Sequence, residues 1–268
     1  MRIGSVNSAS TGIYAEDTIT RRVNRENILL LGGGRALLMQ LAHPLVAQGV
    51  DEHSDFRSHP IRRLRRTIRM TMAMVFGDRE TVMTAARAVN RAHSSVRGPD
   101  YVALDPDLLL WVHATLVDSA LVTYETFVKR LSADERESFY QESKEIGRLL
   151  GIPRDGFAET LADFGGYMDA MMSSGPVRVS DRARELAAQV LRPRLGLLPG
   201  QAMIPLELIT AGLLPETLRI QYGLAWGRGR RVLFRSAVRT LPHVVALTPP
   251  LLRVWPLPGR TVSLGRQT

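Results

Sequence analysis

Start signals for helices recur along this chain, each ahead of an apolar run with helical spacing. Asp78 stands where a side-chain oxygen can accept from the free backbone N–H groups of a helix reaching about Ser95. Asp105-Pro106 opens a long apolar stretch to about Lys129, with proline in the first turn, where its missing N–H costs nothing. Ser132-Ala133-Asp134-Glu135 has the spacing of a capping box, and the helix that follows runs to Leu150. Pro60 begins a helix to about Phe76, which puts Ile61, Leu64, Ile68, Thr71 and Val75 on one side. Gly77-Asp78, Gly98-Pro99 and Gly151-Ile152-Pro153 close the helices before them. Further helices fit Phe157–Met172, Ser180–Val190, Gln201–Ala211 and Pro215–Trp226. No segment alternates polar and apolar residues for long enough to make a convincing strand, and no internal repeat appears. The fold class these patterns predict is all-α.

Residues 1–20 are small and polar and are expected to form a loose arm. Residues 21–227 make the helical domain. Pro44 within it marks a kink or a helix boundary. Residues 228–268 mix arginine, apolar residues and proline, and are expected to be a basic and apolar extension packed on the domain.

Composition removes several chemistries. The chain has no cysteine, so disulfides, zinc–thiolate sites, iron–sulfur clusters and thiolate-held or covalently attached haem are excluded. The net charge is +9, and nearly all the basic residues are arginine; Lys129 and Lys144 are the two lysines. That bias is met in chains from GC-rich genomes. It is met equally in chains that face an anionic partner, a membrane surface or buried propionates. The N-terminus lacks the layout of a secretory signal, and no run of about 18 apolar residues occurs. A cytoplasmic protein without a transmembrane helix is the expectation.

The glycine run Gly32-Gly33-Gly34 after Ile28-Leu29-Leu30-Leu31 has the look of a dinucleotide loop, but Leu37 occupies the position that needs a third glycine or alanine. Close approach of a helix to a neighbour explains the glycines better. The six histidines are His43, His53, His59, His93, His113 and His243. They form no His-Glu-x-x-His or Glu-x-x-His motif, so zincin and carboxylate di-iron sites are absent. No G-x-S-x-G elbow is present either. His93 ends a helix in Asn90-Arg91-Ala92-His93, with Val89 and Ala86 one and two turns back as a small apolar surface. A flat macrocycle could lie there with the imidazole on its metal. Taken alone, though, a helix-end histidine is more commonly placed by the helix dipole. Arg63 and Thr67 lie four residues apart and share a helix face. In a pocket they could hold a carboxylate and a polar ligand atom; on the surface they belong to the basic run Arg57, Arg62, Arg63, Arg65, Arg66 and Arg69.

Several of these segments, in this order, resemble one family. Gly33-Gly34-Arg35-Ala36-Leu37-Leu38-Met39-Gln40-Leu41-Ala42-His43-Pro44 is similar to the opening of the MpaB/rubber-oxygenase catalytic domain. So are Arg63-Leu64-Arg65-Arg66-Thr67, Phe76-Gly77-Asp78, the helix ending at His93, Trp111-Val112-His113-Ala114-Thr115-Leu116 and Leu149-Leu150-Gly151-Ile152-Pro153. The resemblance spans roughly residues 25–225. It implies a single globin-like multi-helix domain enclosing a haem b pocket. It also implies an oxygenase of the kind that cleaves alkenes in polyisoprene or a farnesyl chain with dioxygen.

Matched residue by residue, the resemblance implies His93 as the iron ligand, with Arg63 and Thr67 at catalytic and cofactor-binding positions. Arg35 becomes a candidate propionate partner, and His43 and His113 secondary haem-pocket residues. Asp51 and Glu52 are candidates for a distal base by proximity to a family motif. The family pattern has a lysine where this chain has Arg66. Arginine stays protonated and cannot ligate iron, so a lysine-capped resting state is not expected here.

The function this implies is haem b-dependent oxygenation of an apolar alkene or an isoprenoid or lipid-like substrate with dioxygen. The alternative is a non-catalytic haem-binding sensor or carrier. Nucleic acid is not an expected partner: no helix-turn-helix spacing appears, and arginines occur along the whole chain. Peripheral membrane contact is expected, if anywhere, through the tail, where Arg231, Arg235 and Arg239 alternate with Leu233, Val238 and Leu241.

Overall fold

The computed structural model describes residues 12–54, 60–173, 175–192 and 203–255. Most of the arm at 1–20, together with Arg57, His59 and the end of the C-terminal extension, lies outside them. Among the described residues the chain is helical, and no strand is formed. The order begins with α1 (Ile19–Asn24), a 3-10 segment (Asn27–Gly32), α2 (Gly33–Leu41) and α3 (Pro44–His53). Next come α4 (Pro60–Phe76), α5 (Arg79–Ser94), α6 (Pro106–Phe127) and α7 (Ala133–Leu149). A 3-10 turn (Arg154–Gly156) leads to α8 (Leu161–Ser173), α9 (Asp181–Leu191), α10 (Ile204–Leu213) and α11 (Glu216–Gln221). The last helices are α12 (Arg228–Leu247) and α13 (Pro250–Arg253).

The helix starts follow the capping chemistry. Asp78 accepts from Thr81 N, Asp105 from Asp107 N and Leu108 N, and Ser132 with Glu135 completes a capping box. Pro44 begins α3 rather than kinking a longer helix. Two boundaries differ from expectation. The helix expected at 157 begins at Leu161, where Thr160 and Asp163 exchange hydrogen bonds. Phe157 is instead driven against Gly147, whose missing Cβ would lie 2.7 Å from the ring. The helix expected to reach Trp226 stops at Gln221, because Gly223 takes φ +65° and Leu224 N bonds back to Arg219 O.

α6 is the axis of the molecule. Its apolar residues face all round, as a helix enclosed by others requires. Trp111, Ala114, Val117, Leu121 and Tyr124 meet Leu38, Met39 and Leu41 of α2 in the main core, with α7, α8 and α9 closing around them. Each large aliphatic side chain removed from water there contributes roughly 1.5–3 kcal/mol. The glycine run does what close approach demands: a Cβ on Gly32 would meet Thr123 Oγ1 at 2.1 Å, and one on Gly34 would meet Thr210 Oγ1 at 2.3 Å.

α12 and α13 pack on the helices before them. Phe234, Ala237, Val238 and Leu241 of α12 cover Phe127, Ile209 and Leu213. α13 returns to the start of the chain, where Arg253 grips Glu26 through Nε (2.6 Å) and Nη2 (3.0 Å), and Trp255 N donates to Arg25 O. Among the described residues no single helix is long and apolar enough to cross a membrane.

Candidate functional site

α4 and α5 pack along one another and bring Arg63 and His93 together. His93 sits in the last turn of α5, half-buried, with Nδ1 enclosed and lacking a hydrogen-bond partner. Burial first, and the Arg63 guanidinium second, hold its pKa below the usual histidine value. The ring is therefore neutral at neutral pH and keeps a lone pair. Arg63 is partly buried and donates from Nη1 to Ser54 Oγ, the residue that ends α3. Thr67 follows one turn later on α4 and is exposed, as is Arg66.

Another side of α4 carries an anomaly. Ile61 and Leu64 are 40% and 47% exposed on a helix that also carries five arginines. Ile68, half-buried, continues their row. A neutral imidazole, a guanidinium and an uncovered apolar strip thus lie on two adjoining helices. Among the described residues no group of three or more histidines and carboxylates could hold a bare metal ion. A lone histidine holds a metal only when the other donors arrive with it, as the four nitrogens of a porphyrin do.

The other histidines divide. His43 is buried at the start of α3 with Nδ1 unpartnered; desolvation lowers its pKa, and Asp105 partly offsets that. His113, on α6, is buried with Nε2 unpartnered, and burial pushes its pKa down to about 4. Its ring meets Phe157 edge-on at 5.8 Å. His53 is used: its Nε2 lies 3.1 Å from Arg97 O.

Arg35 is fully engaged within the protein. Nε donates to Leu213 O (2.8 Å), Nη1 to Ser119 Oγ (2.7 Å), and Nη2 pairs with Asp118 at 2.6 Å. It ties α2 to α6 and α10, and a propionate would have to displace these partners. Glu52 is engaged too, accepting from Tyr101 Oη (2.7 Å) and Gln48 Nε2 (3.0 Å). Those hydrogen bonds hold its carboxyl below the ordinary range, which makes it a weak base. Asp51 and Glu52 both face Arg182 of α9.

A cavity of about 270 Å³ lies between α6, α7, α8 and the 154–156 turn. Leu110, His113, Tyr140, Phe157, Phe164 and Tyr167 are among its walls; His93, Arg63 and Thr67 are not. Its volume lies just below the roughly 300–1,000 Å³ of pockets that enclose drug-sized ligands. Of its walls the sequence marks only His113, because they come from four separate segments. Nor does the sequence mark Ser54 as the tether of Arg63, since a serine after a helix end carries no distinctive pattern.

The chain is 28% identical over 229 residues to an uncharacterised protein of Mycobacterium tuberculosis, covering 77% of this chain and 88% of that one. The same figures hold for an uncharacterised protein of Mycobacterium bovis. No solved structure gives a significant match. The family model described as "ER-bound oxygenase mpaB/B'/Rubber oxygenase, catalytic domain" matches residues 20–243, from the first turn of α1 well into α12. That span includes the Arg63–His93 pair and every helix that positions it, and the chain belongs to this family of oxygenase catalytic domains.

Proposed function

We propose that the protein is a haem b-dependent oxygenase that uses dioxygen on an apolar alkene, isoprenoid or lipid-like substrate. The observation that carries this is the neutral, partly enclosed His93 near Arg63, whose helix also carries an uncovered apolar strip.

These residues fit the group. When bound, haem supplies the dioxygen chemistry, and the protein supplies placement and electrostatics. His93 would hold the iron, since its lowered pKa keeps a ring lone pair free at neutral pH. Arg63, tethered by Ser54, would pair with a propionate as a charge-assisted donor. Thr67, one turn from Arg63, can orient a polar atom of the bound ligand. Arg66 stays protonated and would not serve as an iron ligand.

Reconstitution of the purified protein with haem should give a Soret band, and His93→Ala should abolish or strongly weaken it. No band in the wild-type protein would remove the haem reading. A band unaffected by His93→Ala would move the ligand elsewhere, with His43 next. Oxygen uptake with short isoprenoids separates an oxygenase from a haem carrier, which would show the band without turnover.

A further inference from the structure

The arginines run the length of the chain, but the unbalanced charge does not. All 26 acidic residues lie within residues 1–216, together with 26 of the 35 basic ones. The remaining nine basic residues are arginines that follow Glu216, and no acidic side chain accompanies them. The whole net charge of +9 therefore belongs to α12, α13 and their flanks.

Some of these arginines are spent inside the fold. Arg230 pairs with Glu207, Arg253 with Glu26, and Arg219 lies over the Trp226 ring. Arg228, Arg235 and Arg239 are exposed on α12 and have no carboxylate partner among the described residues. They share one side of the helix, opposite the packed face of Phe234, Ala237, Val238 and Leu241. The same outward side and its flank carry Val232 and Leu233, and Leu247 is 85% exposed. α13 then presents Leu251 (92%) and Leu252 (73%) to solvent. These leucines are not loose: the grip of Arg253 on Glu26 and the bond from Trp255 N to Arg25 O fix α13 to the body.

Basic side chains interleaved with exposed aliphatic ones fit one kind of surface. A second copy of this face would bring like charges together. A nucleic acid would satisfy the arginines and leave the leucines in water. A bilayer rich in anionic lipid satisfies both, with phosphates for the guanidinium groups and the acyl boundary for the leucines. We propose that the outer face of α12 and α13 docks this protein on an anionic lipid surface. The docking is independent of haem binding and of turnover.

The test is flotation of the full-length protein with vesicles of phosphatidylcholine alone or with added phosphatidylglycerol, at low and high salt. Binding should require phosphatidylglycerol and fall as salt rises. Each arginine near the surface contributes about fivefold, so Arg228→Gln, Arg235→Gln and Arg239→Gln together should cut partitioning on the order of a hundredfold. Leu251→Ser with Leu252→Ser should weaken it at unchanged charge. All five side chains are exposed, so circular dichroism should match the wild type. Equal binding to both vesicle types, or none to either, overturns the proposal. So does wild-type binding by the leucine variant, or release from vesicles by an equal charge of duplex DNA.

Discussion

Arg63 faces His93 across the α4–α5 border, and its positive charge adds to burial in keeping the imidazole neutral. The pairing serves two ends. A cation beside a histidine opposes its protonation, which preserves the lone pair. The same cation is the natural partner for an acidic group on whatever the histidine holds.

Arg63 should therefore matter to haem affinity through its charge. Arg63→Ala is expected to weaken haem binding roughly tenfold to a hundredfold, the range for a lost hydrogen bond to a charged group. Arg63→Lys should retain much of the affinity, because it keeps the charge and loses the forked geometry. Titration followed at the Soret band measures both. Wild-type affinity in the alanine variant would take Arg63 out of the site.

Arg35 should behave in the opposite way. Its three guanidinium nitrogens hold Leu213, Ser119 and Asp118, so Arg35→Ala leaves Asp118 and a backbone carbonyl without their partner. The expected cost is about 3 kcal/mol, toward the low end for a broken buried pair, since Asp118 is a quarter exposed. Denaturant melts would show the loss, while haem affinity of the folded protein stays near wild type. A stable variant with weakened haem binding would return Arg35 to the cofactor.

Gly34 tests the close approach of α2 to α10. An alanine Cβ would sit 2.3 Å from Thr210 Oγ1 and 3.2 Å from Thr210 Cβ. Threonine in a helix has little rotamer freedom to retreat, so Gly34→Ala should destabilise by about 1–3 kcal/mol. Thr210→Ala removes the obstructing atoms, and its own Oγ1 is buried without a partner. The double variant should recover most of the loss in a thermodynamic cycle. A strictly additive cycle would mean that α2 shifts as a whole.

What the sequence disclosed depended on range. Asp78, Asp105 and Ser132 act on backbone within three residues, so their helices were readable from local chemistry alone. Thr160-Leu161-Ala162-Asp163 carried the same kind of signal, yet the apolar Phe157 upstream masked it. The sequence presents α12 only as a basic and apolar extension, because Gly229 and Pro242 are poor helix formers, although Phe234, Val238, Leu241 and Val245 stand at helical spacing. The meeting of Arg63 with His93 joins two helices and was visible only through the family resemblance. The partners of Arg35 are hidden for the same reason: Leu213 is 178 residues away, and no local pattern announces such a partner.

His113 predicts how stability varies with pH. Burial pushes its pKa down to about 4 from 6.5, and Nε2 has no partner to offset that. Because the folded value is depressed, the unfolded chain takes up the proton first as pH falls. The associated stability is complete above pH 6.5 and is lost progressively down to about pH 4, where the folded protein also protonates. The full swing is roughly 3 kcal/mol. His43 and His93 are shifted in the same direction and add to it. His113→Leu removes the titrating group from a site walled by Phe157, Tyr140 and Phe164, where an aliphatic side chain meets no new polar partner. Melting temperatures recorded from pH 8 to pH 4 should fall less steeply in this variant than in the wild type. Parallel curves would mean that His113 takes up its proton as readily in the folded chain as in the unfolded one, and that the packing against Phe157 does not exclude the charge.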